Sequence, residues 1–198
     1  FPTDGSKGAG LHGAFGCDLP LTTFELMNHF INEEVKPDAI FWTGDIVPHD
    51  FWNYDQEYIE RYQNTFTSQL KTQFPDMAIY PIHGNHDFSL MNSQNMSDHD
   101  PMIDFNSQIW SEWMTPEANE EYKRLGFYTE KIVMKDGTET KTNLIAMNTQ
   151  SCYIFNFYLM SQRNDPGNEL VWLEQTLADI EAKGESALII GHVPVGEQ

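Results

Sequence analysis

The sequence lacks any long uninterrupted run of apolar residues, and it contains few basic ones. No stretch of about 18 apolar residues occurs, so no membrane-spanning helix is predicted. Lysine and arginine together number 11 against 30 aspartates and glutamates, which gives a formal net charge of −19. Proteins that bind nucleic-acid polymers or anionic lipid usually carry clustered positive charge. The composition therefore disfavours both as the main partner.

Cysteine is also scarce, and residues 1–16 contain no apolar segment typical of a secretory signal peptide. The two cysteines, Cys17 and Cys152, lie far apart in the sequence. From the residues alone, two buried free thiols and a bond between the two cysteines both remain open. The 198 residues, 40% of them hydrophobic, suffice for one domain with a substantial core.

Segments with helical apolar spacing alternate with short continuous apolar runs over most of the chain. The helical spacing predicts helices at 21–35, 54–74, a segment that carries Phe105 to Trp113, and 170–183. The short apolar runs predict strands at 39–42, 78–82, 126–134, 141–148 and 187–190. The turn Asp136-Gly137 predicts that the third and fourth of these strands form a hairpin. This alternation predicts an α/β fold.

Three of the predicted strands run directly into a glycine that stands beside a residue able to bind a metal ion. The three segments are Gly44-Asp45, Gly84-Asn85-His86 and Gly191-His192. Because ligands collect beyond the carboxyl ends of strands in layered α/β folds, these side chains can converge on one site. Carboxylate, amide oxygen and imidazole all bind divalent ions. Each segment alone is more often a simple turn, but the three in this order predict a site for two metal ions.

Longer motifs around these residues resemble those of the calcineurin-like metallophosphoesterases. The motifs are GDxxxHD at 44–50, GNHD at 84–87 and GHxPxG at 191–196. The resemblance implies a layered α/β/β/α sandwich of two mixed sheets flanked by helices. It also implies that residues 1–198 form one catalytic domain.

Within that family the sequence is similar to the acid sphingomyelinase and acid sphingomyelinase-like phosphodiesterase branch. The additional matches are CDLP at 17–20, FWTGD at 41–45 and GFY at 126–128. This resemblance implies a phosphoric diester hydrolase that acts through a metal-activated hydroxide. The implied substrate is a phosphocholine lipid such as sphingomyelin, or a nucleotide or other small phosphodiester.

The resemblance also assigns roles to individual residues. Two divalent metal ions are implied, and zinc is the metal expected. Asp45 would bridge both ions, and Asn85 and His192 would bind one of them. His86 would contact the scissile phosphate, and His49 would donate a proton to the leaving group. Two further carboxylates are expected to orient imidazole rings, namely Asp50 and Asp87.

The sequence departs from the family pattern at both ends. The family opens with an Asp-x-His motif on its first strand and closes with a Gly-His-x-His motif, and neither is present. Asp4 precedes no strand and is not assigned as a ligand. We therefore expect a domain incomplete at both ends, with the missing N- and C-terminal segments of the same protein as partners. On this expectation the chain alone holds no complete metal centre and is inactive.

The cysteines and a glycosylation motif indicate the cellular compartment in which the protein resides. In the resembling branch, the cysteines that match Cys17 and Cys152 form separate disulfides with cysteines that would lie outside this chain. The triplet Asn95-Met96-Ser97 matches the acceptor motif for N-glycosylation, although such triplets also arise often by chance. Together these features predict a secreted or lysosomal glycoprotein with disulfide bonds.

Two alternatives to an active phosphodiesterase remain. The chain could belong to a catalytically inactive protein that keeps the fold as a binding or structural module. A purple acid phosphatase would require a metal-binding tyrosine soon after the first Gly-Asp, and Tyr54 lies too far along the chain.

The aromatic segment 153–158 is predicted to be a core strand or helix face, with a substrate groove as the alternative.

Overall fold

A computed structural model gives the structure of residues 10–96, 99–161, 164–194 and 196. Within these ranges the chain forms five α-helices and five β-strands. The helices are α1 (Leu21–Phe30), α2 (Gln56–Gln73), α3 (Pro101–Ile109), α4 (Pro116–Leu125) and α5 (Glu169–Ala182). The strands are β1 (Ala39–Trp42), β2 (Ala78–Pro81), β3 (Tyr128–Val133), β4 (Glu139–Ala146) and β5 (Ser186–Ile190). Asp4, Ser97 and Val195, which is the fifth residue of the GHxPxG motif, lie outside the described residues.

The strands form two sheets, and every predicted strand is present. Strands β1 and β2 pair in parallel, with Trp42 opposite Pro81 at their carboxyl ends. Strands β3 and β4 form the predicted antiparallel hairpin, and β5 pairs in parallel with β4, with Ala146 opposite Ile190. The prediction of an α/β fold with two sheets flanked by helices is confirmed. In the described residues the first sheet is parallel and the second is mixed.

Two tyrosines join the sheets through their hydroxyl groups. Tyr128 in β3 donates a hydrogen bond to the carbonyl oxygen of Pro81 at 2.9 Å, and Tyr80 in β2 accepts one from the backbone N–H of Val133 at 2.7 Å. The side chains of both tyrosines are buried in the main hydrophobic core. Because this core is shared, the two sheets pack against each other in one fixed arrangement.

The helical prediction was incomplete between β2 and β3. Helix α3 ends at Ile109, and Trp113 lies in the turn that follows it. A separate helix, α4, was missed because its sequence PEANEEYKRL carries few apolar residues. Its boundary signals are nevertheless strong, since Thr115 caps its first turn by accepting from Ala118 N–H and Gly126 ends it at φ 83°.

The prediction of a core position for segment 153–158 is wrong. Its apolar side chains are largely solvent-exposed, among them Ile154, Phe155 and Phe157, and the segment forms turns and a short 3₁₀ helix.

The cysteines are likewise exposed and are not bonded to each other, which removes both the buried-thiol and the mutual-disulfide alternatives. None of the helices described is long and apolar enough to cross a membrane.

Candidate metal and phosphate site

The loops that follow β1 and β2 lie against each other because the two strands are parallel and adjacent. The pairing continues one residue past β2, where the Ile82 N–H donates to the carbonyl oxygen of Trp42 at 2.8 Å. The third predicted strand end comes from the other sheet, where Met147 N–H donates to the carbonyl oxygen of Ile190 at 2.8 Å. The polar residues that follow these strands are thereby placed on the same edge of the molecule.

Two glycines permit the close approach of the first two loops. Gly44 has φ 78°, and a Cβ atom added to it would lie 2.2 Å from the backbone nitrogen of Gly84. A Cβ added to Gly84 would in turn lie 2.7 Å from the Cβ of Asp45. Asp45 itself has φ 67°, a left-handed conformation that costs free energy for a residue with a side chain. Both positions therefore need glycine because no side chain fits between the loops.

The carboxylate of Asp87 holds these two loops together. Its Oδ2 accepts from the backbone N–H of Gly84 at 2.6 Å and of Asp45 at 2.8 Å, and its Oδ1 accepts from Ile46 N–H at 3.3 Å. The side chain is fully buried, and burial raises the pKa of this carboxyl although the backbone hydrogen bonds act to lower it. Among the described residues Asp87 contacts backbone amides and no imidazole, so the structure shows it supporting the two loops and not in the expected role of orienting a histidine ring.

Asp45, Asn85 and His192 converge, as their positions at three strand ends predict. Nε2 of His192 lies 2.8 Å from Oδ1 of Asn85 and 3.7 Å from Oδ2 of Asp45. The other oxygen of Asp45 accepts from the backbone N–H of His86 at 2.9 Å. Residues as far apart in the sequence as Asp45 and His192 thus place a carboxylate oxygen, an amide oxygen and an imidazole nitrogen next to one another.

The arrangement of hydrogens around these three atoms favours a bound cation. Nδ1 of His192 lies 2.8 Å from the carbonyl oxygen of Thr43, which can only accept, so Nδ1 carries the hydrogen. Asn85 turns its Nδ2 toward Oδ1 of Asn92 at 2.7 Å. Nε2 of His192 and Oδ1 of Asn85 then lie in contact beside the Asp45 carboxylate. A cation bound between these three side chains would be coordinated by one nitrogen and two oxygen atoms.

The donor set fits one divalent ion. Among the described residues, no group of three or more His, Cys, Asp and Glu side chains is placed to hold a metal, so the amide oxygen of Asn85 is an essential third donor here. For the second ion of the predicted pair, Asp45 is the ligand that the sequence analysis assigned within this chain. The residues present therefore fit one metal ion, and the second stays a prediction.

His49 lies next to this group of ligands and is held by Asp18. Its backbone N–H donates to Oδ2 of Asp18 at 2.8 Å, and its Nδ1 lies 2.6 Å from Oδ1. Partial burial acts to raise the pKa of the Asp18 carboxyl, but the hydrogen bonds from His49 prevail and the pKa is lowered. Sequence reasoning noted Asp18 only as part of the CDLP motif and missed this contact.

His86 faces His49 and is held by a tyrosine. The two rings have centroids 4.7 Å apart. Tyr54 donates its hydroxyl hydrogen to the carbonyl oxygen of Pro48 at 2.6 Å, so its oxygen accepts from Nδ1 of His86 at 3.2 Å. Burial lowers the pKa of His86, against the opposing charge of Asp45. Tyr54 is thus a partner of the histidine that the sequence analysis expects to contact the phosphate.

Asp50 contacts no imidazole within the part of the chain that the structure describes, which corrects the second expectation of this kind. Its oxygens accept from the hydroxyl of Tyr58 at 2.8 and 2.7 Å and from Nδ2 of Asn53 at 2.9 Å. Asp50 therefore anchors the loop after β1 to helix α2.

The glycosylation site at Asn95 stays a prediction, since Asn95 is half-buried and Ser97 lies outside the described residues.

A buried histidine lies behind the site. Nδ1 of His83 lies 3.1 Å from the hydroxyl of Tyr122, and complete burial lowers the pKa of His83 to about 4. Its ring stays neutral at ordinary pH. Gly126 makes room for it, because a Cβ there would lie 2.4 Å from the imidazole carbon Cε1. His83 supports the GNHD loop from inside the core and does not face substrate.

The exposed segment 153–158 borders the site. Tyr153, Ile154 and Phe155 line a cavity of about 330 Å³ together with Asn85 and His192. Two of the three candidate ligands thus open onto an apolar wall. This placement agrees with the substrate-groove alternative for the segment.

Comparisons with known proteins match residues 11–198 to one family, described as calcineurin-like phosphoesterase. Sphingomyelin phosphodiesterase A of Dictyostelium discoideum is 31% identical over 194 residues, which are 96% of this chain and 32% of that protein. Sphingomyelin phosphodiesterase 2 of Caenorhabditis elegans is 34% identical over 91% of this chain and 30% of its own length. Acid sphingomyelinase-like phosphodiesterase 3b of Homo sapiens is 30% identical over 98% of this chain and 43% of its own length.

The chain therefore spans between 30% and 43% of the length of these three relatives. The family match extends over all the strand-end motifs and the CDLP segment that holds His49. Divalent metal ions are implied by this fold, in agreement with the three converging donors. The chain belongs to the calcineurin-like phosphoesterase family.

Proposed function

We propose that the protein containing this chain is a metal-dependent phosphodiesterase that hydrolyses a phosphocholine lipid. The observation that carries the proposal is the contact between Asp45, Asn85 and His192, whose oxygen and nitrogen lone pairs meet at the ends of three strands. The relatives named sphingomyelin phosphodiesterase support the substrate class. The apolar wall formed by Tyr153, Ile154 and Phe155 beside these ligands supports a substrate with an apolar part.

Zinc is the metal that we propose, since the imidazole of His192 and the carboxylate of Asp45 suit it. When bound, such an ion supplies Lewis acidity to a phosphate oxygen and lowers the pKa of water. In this proposal His49 provides a proton for the leaving oxygen, and His86 contacts the phosphate. The rings of these two histidines are close enough, at 4.7 Å between centroids, to act on one phosphodiester.

A secreted or lysosomal location is part of the same proposal. Cys17 and Cys152 are exposed and are not bonded to each other. Exposed cysteines suit disulfides with partners beyond the described residues, and such bonds persist in oxidising compartments. Mass analysis of the intact protein without reduction tests this, because free thiols at both positions would contradict it.

An inactive module is the second candidate, and one observation favours it. The described residues supply three donors for one ion and only Asp45 for a second, so a protein with no further ligands would not activate a water molecule between two ions. Loss of catalysis would leave the fold intact, because the buried Asp87 carboxylate holds both loops through hydrogen bonds to their backbone.

Metal content and turnover in the full-length protein decide between the two candidates. We expect bound zinc by elemental analysis and hydrolysis of sphingomyelin in mixed micelles and of a chromogenic phosphodiester. Asp45→Asn should lower both metal content and turnover, because the carboxylate charge is lost. Asp38→Asn, at an exposed position just before β1, is the matched control and should change neither.

A wild-type protein that binds no metal and hydrolyses neither ester would establish the inactive module instead. Turnover of nucleotide diesters without turnover of sphingomyelin would keep the phosphodiesterase and overturn the lipid substrate.

A further inference from the structure

The cavity of about 330 Å³ beside Asn85 and His192 has a lining that is mainly aromatic and aliphatic. Apart from those two residues, it is formed by residues 153–155 and by residues 193–194, which follow His192. None of the described residues that line it is a lysine, arginine, aspartate or glutamate. A ligand group held against the wall opposite the candidate metal ligands therefore meets no charged side chain of the lining.

Tyr153 and Phe155 form an aromatic corner in this wall. Their ring centroids lie 5.5 Å apart, and the ring planes are inclined at 74° to each other. Two rings at such an angle present an electron-rich face to the same space. A cation is attracted to a ring face when it lies within about 6 Å of the centroid. One cation placed in the corner therefore contacts both rings.

A buried asparagine fixes the position of this corner. Asn156 is only 1% exposed, and its Nδ2 donates to the carbonyl oxygens of Gln94 at 3.0 Å and Gln150 at 3.1 Å. Its backbone N–H donates to the carbonyl oxygen of Tyr153 at 2.9 Å. The turn 153–156 is thus held from the core, although its apolar side chains reach the surface. A wall that is already ordered loses little conformational entropy when a ligand binds.

The chemistry of the wall favours a quaternary ammonium group over other cations. A primary ammonium or guanidinium group carries N–H donors, which lose their hydrogen bonds to water against apolar side chains. A trimethylammonium group has no N–H donor, and its charge is spread over methyl groups that can contact aromatic faces. The formal net charge of −19 attracts cations to the molecule as a whole.

We propose that Tyr153 and Phe155 bind the trimethylammonium group of a choline headgroup whose phosphate lies at Asn85 and His192. The proposal rests on the proposed phosphodiesterase function and assigns a place to the headgroup of that substrate class. Choline joins its nitrogen to the phosphate through a short ethylene chain, so one headgroup can occupy both ends of this cavity. The aromatic pair determines which phosphodiester binds and takes no part in breaking its bonds.

A neutral isostere separates recognition of the charge from apolar contact. In 3,3-dimethylbutyl phosphate a carbon atom replaces the nitrogen of phosphocholine, so the shape is kept and the positive charge is lost. We expect the full-length wild type to bind phosphocholine about tenfold more tightly than the isostere, measured by calorimetry. Equal affinities for the two compounds would overturn the proposal.

Phe155→Leu keeps an apolar side chain at the corner and removes the ring. The affinity for phosphocholine should fall about tenfold, and the affinity for the isostere should change little. Tyr153→Phe retains its ring and should bind both compounds as the wild type does. Phe157→Leu is the matched control, because Phe157 is exposed in the same segment but does not line the cavity. Equal weakening of both compounds in Phe155→Leu would show apolar contact alone and overturn the role of the rings.

Choline by itself tests the corner without metal and without turnover. In saturation-transfer NMR on the full-length protein treated with a chelator, the choline methyl groups should receive magnetisation from aromatic protons. The transfer should be much weaker in Phe155→Leu and unchanged in Phe157→Leu. The same weak transfer in all three proteins would contradict the proposal.

Hydrolysis of two esters separates this proposal from the proposed function. With 4-nitrophenyl phosphocholine, Phe155→Leu should raise KM about tenfold at an unchanged kcat. With 4-nitrophenyl methyl phosphate, which has no choline, neither constant should change. A wild type that hydrolyses both esters but binds phosphocholine no better than its isostere would keep the function and overturn the choline site. A wild type that hydrolyses neither ester but prefers phosphocholine would overturn the function and support the choline site.

Discussion

Asp87 accepts a hydrogen bond from the backbone N–H of Asp45 at 2.8 Å, across 42 residues of sequence. The same carboxylate oxygen accepts from Gly84 N–H, which belongs to the GNHD loop itself. One buried carboxylate therefore links the loop that carries the bridging candidate Asp45 to the loop that carries Asn85. The position of the ligands depends on this contact as much as on the strands.

Asp87→Asn should weaken the fold and the site together. The amide keeps one acceptor, but its NH₂ group would face a backbone N–H, so a buried donor is left unsatisfied. We expect a loss of about 3 kcal/mol in the free energy of unfolding, measured by chemical denaturation. The exposed Asp76→Asn is the control and should unfold at the wild-type denaturant concentration. An Asp87→Asn variant as stable as the wild type would show that the carboxylate does not hold the loops.

Gly44→Ala tests the close approach of the two loops. The added methyl group would lie 2.2 Å from the backbone nitrogen of Gly84, so one loop has to move. Gly137→Ala is the matched control, because Gly137 has a similar φ of 83° with nothing within 4 Å of the added atom. Backbone strain alone costs about 1 kcal/mol in the control, and we expect about 3 kcal/mol or more for Gly44→Ala.

Metal binding gives Gly44→Ala a second measurement. Displacement of either loop separates Asp45 from Asn85, so zinc affinity measured by calorimetry should fall only in Gly44→Ala. Equal stability losses and equal zinc affinities in the two variants would contradict the packing argument.

The sequence predicts the ligands of the site better than it predicts their supports. Asp45, Asn85 and His192 each follow a short apolar run and a glycine, so local pattern alone places them at strand ends. The contact from Asp18 to His49 has no such pattern, because an irregular loop brings the two residues together. Asp87 was assigned to an imidazole for the same reason. The carboxylate of an aspartate beside a histidine can accept hydrogen bonds either from an imidazole ring or from backbone N–H groups. The tertiary arrangement of the loops determines which of these donors it contacts.

Predictions from apolar content are wrong in two segments: one helix is missed, and one exposed segment is predicted to be buried. Helix α4 was missed because its core contribution comes mainly from Tyr122 and Ala118, too few residues for a periodic signal. Segment 153–158 was placed in the core because it is apolar and aromatic, yet it borders the cavity near Asn85. Burial depends on tertiary position, and an apolar run at a site edge has the same composition as a core strand.

Glu169→Gln should change how stability depends on pH. Glu169 is the first residue of α5 and is fully buried, and its Oε1 accepts from Asn148 N–H at 2.6 Å. Burial raises the pKa of this carboxyl from 4.5 to about 7, against the hydrogen bonds from Ser151 and Asn148. The folded state therefore binds a proton more tightly than the unfolded state. The stability from this residue is complete below about pH 4.5 and is lost as pH rises to about 7.

Glutamine cannot ionise and so removes this loss. We expect Glu169→Gln to match the wild type near pH 4 and to exceed its free energy of unfolding by roughly 3 kcal/mol at pH 8. Urea denaturation across this range measures the difference, with the exposed Glu139→Gln as control. A constant offset between Glu169→Gln and the wild type at all pH values would show that the carboxyl does not titrate in this range.

Tyr54→Phe tests how the second histidine is held. The hydroxyl of Tyr54 donates to Pro48 O and accepts from Nδ1 of His86, so its loss leaves a carbonyl and a ring nitrogen without their partner. We expect a fall in kcat of about tenfold in the full-length protein, because the His86 ring is no longer confined to one tautomer. Stability should fall by only about 1 kcal/mol, since water can reach the half-buried carbonyl.

Tyr62→Phe is the control for this variant, because it removes a hydroxyl whose described bond is a weak one to Tyr58 at 3.3 Å. Nitrogen-15 NMR should show a mixed His86 tautomer in Tyr54→Phe and an unchanged one in Tyr62→Phe. If Tyr54→Phe kept both kcat and the tautomer, the backbone hydrogen bond from His86 to Asp45 would be sufficient to orient the ring. Tyr54 would then serve only to anchor the loop at Pro48, and the site would need one fewer residue than its geometry indicates.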